Sequence, residues 1–64
     1  MELQDILFHE GFGTRRVCAG LIQQGRVQVY REPADAEPEP CTQALAEFES
    51  EGLRLRVQGQ DWVC

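Results

Sequence analysis

The stretch from Gly11 to Val29, GFGTRRVCAGLIQQGRVQV, constrains the chain most, because it sets a glycine-flanked loop, a helix with both ends marked and a strand start in immediate succession. Gly11 and Gly13 free the backbone on either side of Phe12, whose ring is expected to enter a core. Thr14 offers an N-cap hydroxyl. From Arg15 to Gln24, Val17, Cys18, Leu21 and Ile22 share one stripe along a helix of about three turns. Gly25 stops that helix from the C′ position. After Arg26, the alternation of Val27, Gln28 and Val29 has the period of a half-buried strand.

Two of the cations stand where folding alone would not place them. Arg15 and Arg16 occupy the first helical turn, where the macrodipole favours carboxylates and disfavours positive charge by some tenths of a kcal/mol. The plain reading is a pair of solvated surface arginines. Against it, a helix start offers open backbone N–H groups that attract phosphate, two guanidinium forks stand beside them, and Arg26 returns at the other end of the helix. The expectation is one phosphate-binding face. Replacing Arg15 or Arg16 by Gln should then weaken binding while leaving the melting temperature unchanged or slightly higher.

The continuous run MELQDILFHEGFGTRRVCAGLIQQGRVQV resembles the start of the alpha-L RNA-binding domain, also called the S-four domain, in the version that opens bacterial small-subunit ribosomal RNA pseudouridine synthases. Leu3, Leu7, His9, Gly11, Phe12, Gly13, Thr14, Arg15, Arg16, Leu21, Ile22, Gly25, Arg26, Val27 and Val29 match that pattern without a gap, over about half the chain. The resemblance implies binding of structured, ribosomal RNA through Thr14, Arg15, Arg16 and Arg26, with Arg31 adding a cation to the same face. It also implies that a catalytic domain follows Cys64 in a longer parent synthase, which these residues would hold near its uridine. The family's catalytic aspartate lies in that later domain. No residue here matches it, so this chain alone is expected to be non-catalytic. Glu2 and Asp5 stand where the family carries basic residues, and Tyr30-Arg31 replaces its usual Asn-Gly turn.

Sixty-four residues make one small domain, of a size that buries only about 60% of its unfolded surface. Cys18, Cys41 and Cys64 are odd in number and widely spaced, which supports neither a disulfide framework nor a metal site. Reduced thiols in a cytoplasmic monomer are expected. The chain shows no leader and no apolar run of membrane-spanning length. No cofactor is expected. Six Arg, no Lys and eleven carboxylates leave a net charge of −5, which runs against the basic balance of most nucleic-acid binders. The distribution is uneven: residues 1–31 balance at +1 and residues 32–64 at −6. Binding depends on the local field more than on the sum.

Ahead of the organising stretch, Glu2 to Glu10 reads as a first helix with Leu3, Ile6 and Leu7 on one face. His9, the single histidine, suits a packing or surface role, with an RNA contact as the alternative. Beyond the first strand, residues 32–41 read as an acidic, proline-rich loop. Thr42 could cap a short helix over 43–51, with Ala44, Leu45 and Phe48 inward and Gly52 as its stop. Glu47, Glu49 and Glu51 read as a solvated face rather than as general acids or bases. Leu53 to Val57 alternates as a strand with Arg54 and Arg56 outward, Gln58 to Asp61 turns, and Trp62-Val63 returns. Arg54 and Arg56 either keep an exposed face soluble or extend an RNA surface. Trp62 reads as the lid of a small core rather than as a base-stacking platform.

The fold class that follows is α+β: two packed N-terminal helices against a short antiparallel sheet, as in a small alpha-L fold, with an extra short helix in an acidic insertion. Two other functions fit parts of the pattern. A DNA-binding helix-turn-helix would also join two short helices through a Gly-rich turn, but its second helix would need more polar readers than Gln23 and Gln24. A protein-interaction module would use the acidic segment.

Overall fold

The structure is a computed structural model that describes residues 1–33 and 35–64; Ala34, inside the loop expected over 32–41, lies outside the described residues. The fold is α+β. Helix α1 (Leu3–His9) and helix α2 (Arg15–Gln23) are followed by strands β1 (Val27–Val29), β2 (Glu39–Pro40), β3 (Arg54–Val57) and β4 (Gln60–Val63). The strands form one antiparallel sheet in the order β2-β1-β3-β4.

Both helices end the same way. At α1, Gly11 N–H donates to Phe8 O and Phe12 N–H to Leu7 O, each at 3.1 Å; at α2, Gly25 N–H donates to Ile22 O and Arg26 N–H to Leu21 O, each at 3.0 Å. These paired bonds satisfy the last carbonyls of each helix and turn the chain sharply. The turn at α2 requires positive φ at its C′ residue, and Gly25 takes it at +76°, a value that costs a residue with a Cβ about 1 to 2 kcal/mol.

The helix starts differ. Thr14 caps α2, its Oγ1 accepting from Val17 N–H at 3.2 Å. Glu2 does not cap α1 with its side chain. A distant segment does so instead: Leu3 N–H donates to Ala46 O at 2.8 Å and Gln4 N–H to Ala44 O at 3.0 Å, while Asp5 and Ile6 donate to Glu2 O. This corrects the short helix expected over 43–51, which is absent. The carbonyls that such a helix would turn inward onto its own amides are committed to α1, and the segment runs as a turn at Ala44-Leu45 and a bridge between Glu2 and Glu47. Phe48 N–H donates to Met1 O at 2.9 Å, and the N-terminal ammonium donates to Phe48 O at 3.0 Å. Ala44 is buried as expected, Phe48 is half-buried and Leu45 is exposed.

The acidic loop is shorter than its composition suggested, because Glu39 and Pro40 pair with Val29 and Gln28 as an edge strand. Proline is tolerated there since an edge strand need bond on one side only. The final hairpin is tighter than expected. Val57 faces Gln60 across a two-residue turn, and Gln58 and Gly59 both take positive φ, 51° and 84°, the arrangement that matches strand twist in a hairpin.

The core lies between the helices and one sheet face. Leu3, Ile6 and Leu7 from α1, Cys18 and Ile22 from α2, and Val27, Val29, Leu55 and Val57 from the sheet are all buried. Every second residue of β1 and β3 supplies this face. The stripe on α2 is narrower than the sequence implied. Cys18 and Ile22 point inward, Leu21 is half-buried and Val17 is 50% exposed. Phe12 is also half-buried, at the rim of the core, with its ring edge-on to Trp62 at 5.1 Å. A sheet this small covers one line of a helix face and leaves its flanks partly wet.

Candidate nucleic-acid interface

The Gly11–Gly13 loop delivers the chain from α1 to the start of α2 at close quarters. A Cβ at Gly13 would stand 3.1 Å from Val17 Cγ1, and φ there is +135°, a conformation that suits glycine and strains other residues. Cys18 N–H donates to Thr14 O at 2.9 Å, and Val17 N–H is held by the Thr14 hydroxyl. That leaves the N–H groups of Arg15 and Arg16 as donors without a protein acceptor among the described residues. The start of α2 is therefore an open donor pair, whereas the start of α1 is closed by Ala44 and Ala46.

Around that donor pair, the two arginines behave differently. Arg15 folds back on α1: its Nε donates to Asp5 Oδ1 at 2.9 Å and its Cζ lies 4.2 Å from the centre of the Phe8 ring. The expectation that Arg15 carries only an unfavourable helix charge omitted both contacts. Arg16 is exposed and has no ion pair or side-chain hydrogen bond among the described residues. Its guanidinium is therefore free to meet a ligand.

Arg26 lies past the far end of α2, a helix of nine residues that spans about 14 Å at 1.5 Å per residue. It belongs to a polar cluster with the final hairpin. Its Nε donates to Gln24 Oε1 at 3.0 Å, its Nη1 to Gln58 Oε1 at 3.4 Å, and its carbonyl accepts from Gln58 N–H at 2.9 Å. Arg31 lies past the opposite end of β1, with Nε 4.0 Å from Glu39 Oε1 and Cζ 5.2 Å from the Phe48 ring centre. Helix α2 thus separates Arg26 from the pair at its start, and strand β1 separates Arg31 from Arg26.

His9 is exposed and meets Phe8 edge-on at 5.7 Å. It lines a groove of about 420 Å³ with Met1, Ile6, Glu10, Ser50, Glu51 and Cys64. Cys18 and Cys64 are poorly suited to nucleophilic work. Burial pushes the Cys18 thiol above its usual value, and burial followed by the nearby Glu10 charge does the same for Cys64, so neither is a ready thiolate. No group of His, Cys, Asp and Glu that could hold a metal occurs among the described residues, and no described helix is long and apolar enough to cross a membrane.

A second cationic cluster occupies the outer face of the sheet, opposite the core. Arg54 Cζ lies 4.3 Å and Arg56 Cζ 5.7 Å from the centre of the Tyr30 ring. Tyr30 Oη donates to Asp61 Oδ1 at 2.8 Å, and Arg56 Nε donates to the same oxygen at 2.9 Å. The bond from Arg56, then that from Tyr30, hold the Asp61 carboxyl below its ordinary range. The same hydrogen bond raises the Tyr30 phenol. The alternation of β1, continued by one residue, sets Tyr30 on the same face as Gln28, and the pairing of β1 with β3 brings that face beside Arg54 and Arg56. No family model, curated protein or solved structure matches the chain.

Proposed function

We propose that this chain binds structured RNA, ribosomal RNA by the resemblance of its first half, through the start of α2, and that it serves as a tethering module for a pseudouridine synthase domain in a longer cytoplasmic parent. One observation carries the reading. The N–H groups of Arg15 and Arg16 have no protein acceptor among the described residues, and the unpaired guanidinium of Arg16 stands beside them. Two amide donors at the positive end of a helix dipole, with a planar cation adjacent, suit a backbone phosphate. Thr14 orders the turn. Arg15 is held in place by Asp5 and Phe8 with its charge offset by the Asp5 carboxylate, while Arg26 offers a second contact at the other end of α2.

Readout of DNA bases by α2 is poorly served. Between Arg16 and Gln23 the helix carries only Val17, Cys18, Ala19, Gly20, Leu21 and Ile22, none of which has the paired donors and acceptors that read a base edge. The test is a salt titration of the wild type and Arg16→Gln against a structured ribosomal RNA fragment and a DNA duplex of equal charge. The expected outcome is preference for the RNA, with the log–log salt slope reduced by about 0.7 to 0.9 in the variant. Undiminished RNA binding by folded Arg16→Gln, or preference for the duplex, overturns the reading.

A further inference from the structure

The outer face of the sheet carries a chemistry that the start of α2 does not. The proposed phosphate site has an exposed ring in Phe8, but the guanidinium over it, that of Arg15, is committed to Asp5 at 2.9 Å. On the sheet, Tyr30 sits on the open side of β1 with the guanidinium of Arg54 over its ring at 4.3 Å. Arg54 has no ion pair among the described residues. Arg56 is the second cation, 5.7 Å from the ring centre, and it is anchored through Nε to Asp61.

Three features make this a prepared surface rather than two solvated arginines. The Tyr30 hydroxyl and Arg56 converge on one Asp61 oxygen, at 2.8 and 2.9 Å, so ring and fork are oriented before any ligand arrives, which lowers the entropy cost of binding. Asp61 offsets only one of the two guanidinium charges, leaving that of Arg54 without a carboxylate partner among the described residues. Beside Tyr30 and Arg54 opens a groove of about 340 Å³ whose wall includes Glu32, Glu49 and Glu51. The groove wall repels phosphate, yet its carboxylates accept hydrogen bonds from amino groups. Chemistry therefore divides across the face: a planar base with an exocyclic amine suits the groove side, and the attached phosphate suits Arg56.

We propose that the outer sheet face formed by Tyr30, Arg54 and Arg56 binds an unpaired, amino-bearing nucleotide of single-stranded RNA, its base stacked on the Arg54–Tyr30 tier and its phosphate on Arg56. Stacking on an arginine plane or an aromatic ring is the usual way that proteins hold a splayed base. The site is independent of the α2 start, and the two surfaces could grip a paired region and an adjoining single strand together. Avidity would then exceed the strength of either contact.

The experiment is an NMR titration of the full chain with short oligoadenylate, oligocytidylate and oligouridylate, and with an abasic ribose-phosphate oligomer of equal length. The expected result is amide shifts centred on Tyr30, Arg54 and Arg56, tighter binding of the adenylate and cytidylate than of the uridylate, and about 5- to 150-fold weaker binding of the abasic oligomer. Arg54→Gln should lose the base-dependent part. Arg54→Lys retains the charge without the plane and should lose it too, so a folding defect confined to one variant does not blunt the test. Amide shifts at Arg15 and Arg16 report the α2 start separately from those at Tyr30, Arg54 and Arg56, which separates failure here from failure of the α2 reading. Equal affinity for the abasic oligomer, or undiminished binding by both Arg54 variants, overturns the proposal. So does a dimer of this chain that Arg54→Gln dissociates, since that face would then belong to a second copy.

Discussion

Arg15 and Arg16 are adjacent in the chain and opposite in consequence. Arg15 sits at a helix start that disfavours cations, but its bond to Asp5 at 2.9 Å and its place over Phe8 join α1 to α2. Ion pairs and cation–π contacts at such partly exposed sites contribute about 0.5 to 1 kcal/mol, which exceeds the dipole penalty of some tenths. Arg15→Gln is therefore expected to lower the melting temperature, and Arg16→Gln to leave it unchanged or raise it slightly. Paired thermal melts at low salt check this. An equal response in both variants would mean that the Asp5 and Phe8 contacts are idle. Asp61 supplies a pH test at the same scale. Its folded pKa is depressed by Arg56 and Tyr30, so its contribution is present above the unfolded value of about 3.9 and is lost as pH falls through the lower folded value. Tyr30 works in the other direction. Its raised pKa keeps its contribution intact below about 10 and releases it as pH rises through the folded value. The acid dependence of the melt should flatten in Asp61→Asn, and the Tyr30 phenol should then titrate at lower pH, as followed by ultraviolet absorbance.

At the level of elements, the contrast between the two helix starts has a direct readout. Leu3 and Gln4 amides are bonded to Ala46 and Ala44 carbonyls, although first-turn amides of a helix ordinarily exchange with solvent. Hydrogen exchange should find them protected, while the amides of Arg15 and Arg16 exchange fast in the free protein and slow on addition of a phosphate-bearing ligand. Fast exchange at Leu3 and Gln4 would mean that the 43–48 segment does not hold α1. That segment also shows why local signals misled. Thr42, the alanines and Gly52 are consistent with a capped helix, yet the backbone groups that would form it have a competing partner at α1. A tertiary hydrogen bond satisfies a carbonyl as well as a helical one does, and it closes a second open end at the same time.

Over the whole molecule, stability rests on a single thin layer of aliphatic side chains, since Leu3, Ile6, Leu7, Ile22, Val27, Val29 and Leu55 are at most 1% exposed and no polar residue is buried among the described residues. Truncation there should be costly. Ile22→Ala is expected to lose about 2 to 5 kcal/mol, whereas Leu21→Ala and Phe12→Ala should lose distinctly less, because both sit at the half-wet rim. Denaturant melts of the three variants check the order; a larger loss at Leu21 would put the centre of the core in the wrong place.

Local sequence is enough for the two helices, the stop at Gly25, the Thr14 cap and the strands that start at Val27 and near Arg54. Each of these follows from nearest neighbours, through side-chain period, a hydroxyl at N-cap or a residue that tolerates positive φ. Which of the apolar residues on α2 lie inside follows instead from packing, because width of burial is a property of the sheet that covers them. The tertiary structure also decided that Arg15 belongs to Asp5 and Phe8 while Arg16 remains open, and that Glu39-Pro40 joins the sheet. The gathering of Tyr30, Arg54, Arg56 and Asp61 on one face required the register of β1, β3 and β4. Tyr30 stands 24 to 31 residues before the other three, a separation that leaves no periodic trace along the chain. Their meeting is a consequence of strand pairing, which no local pattern encodes.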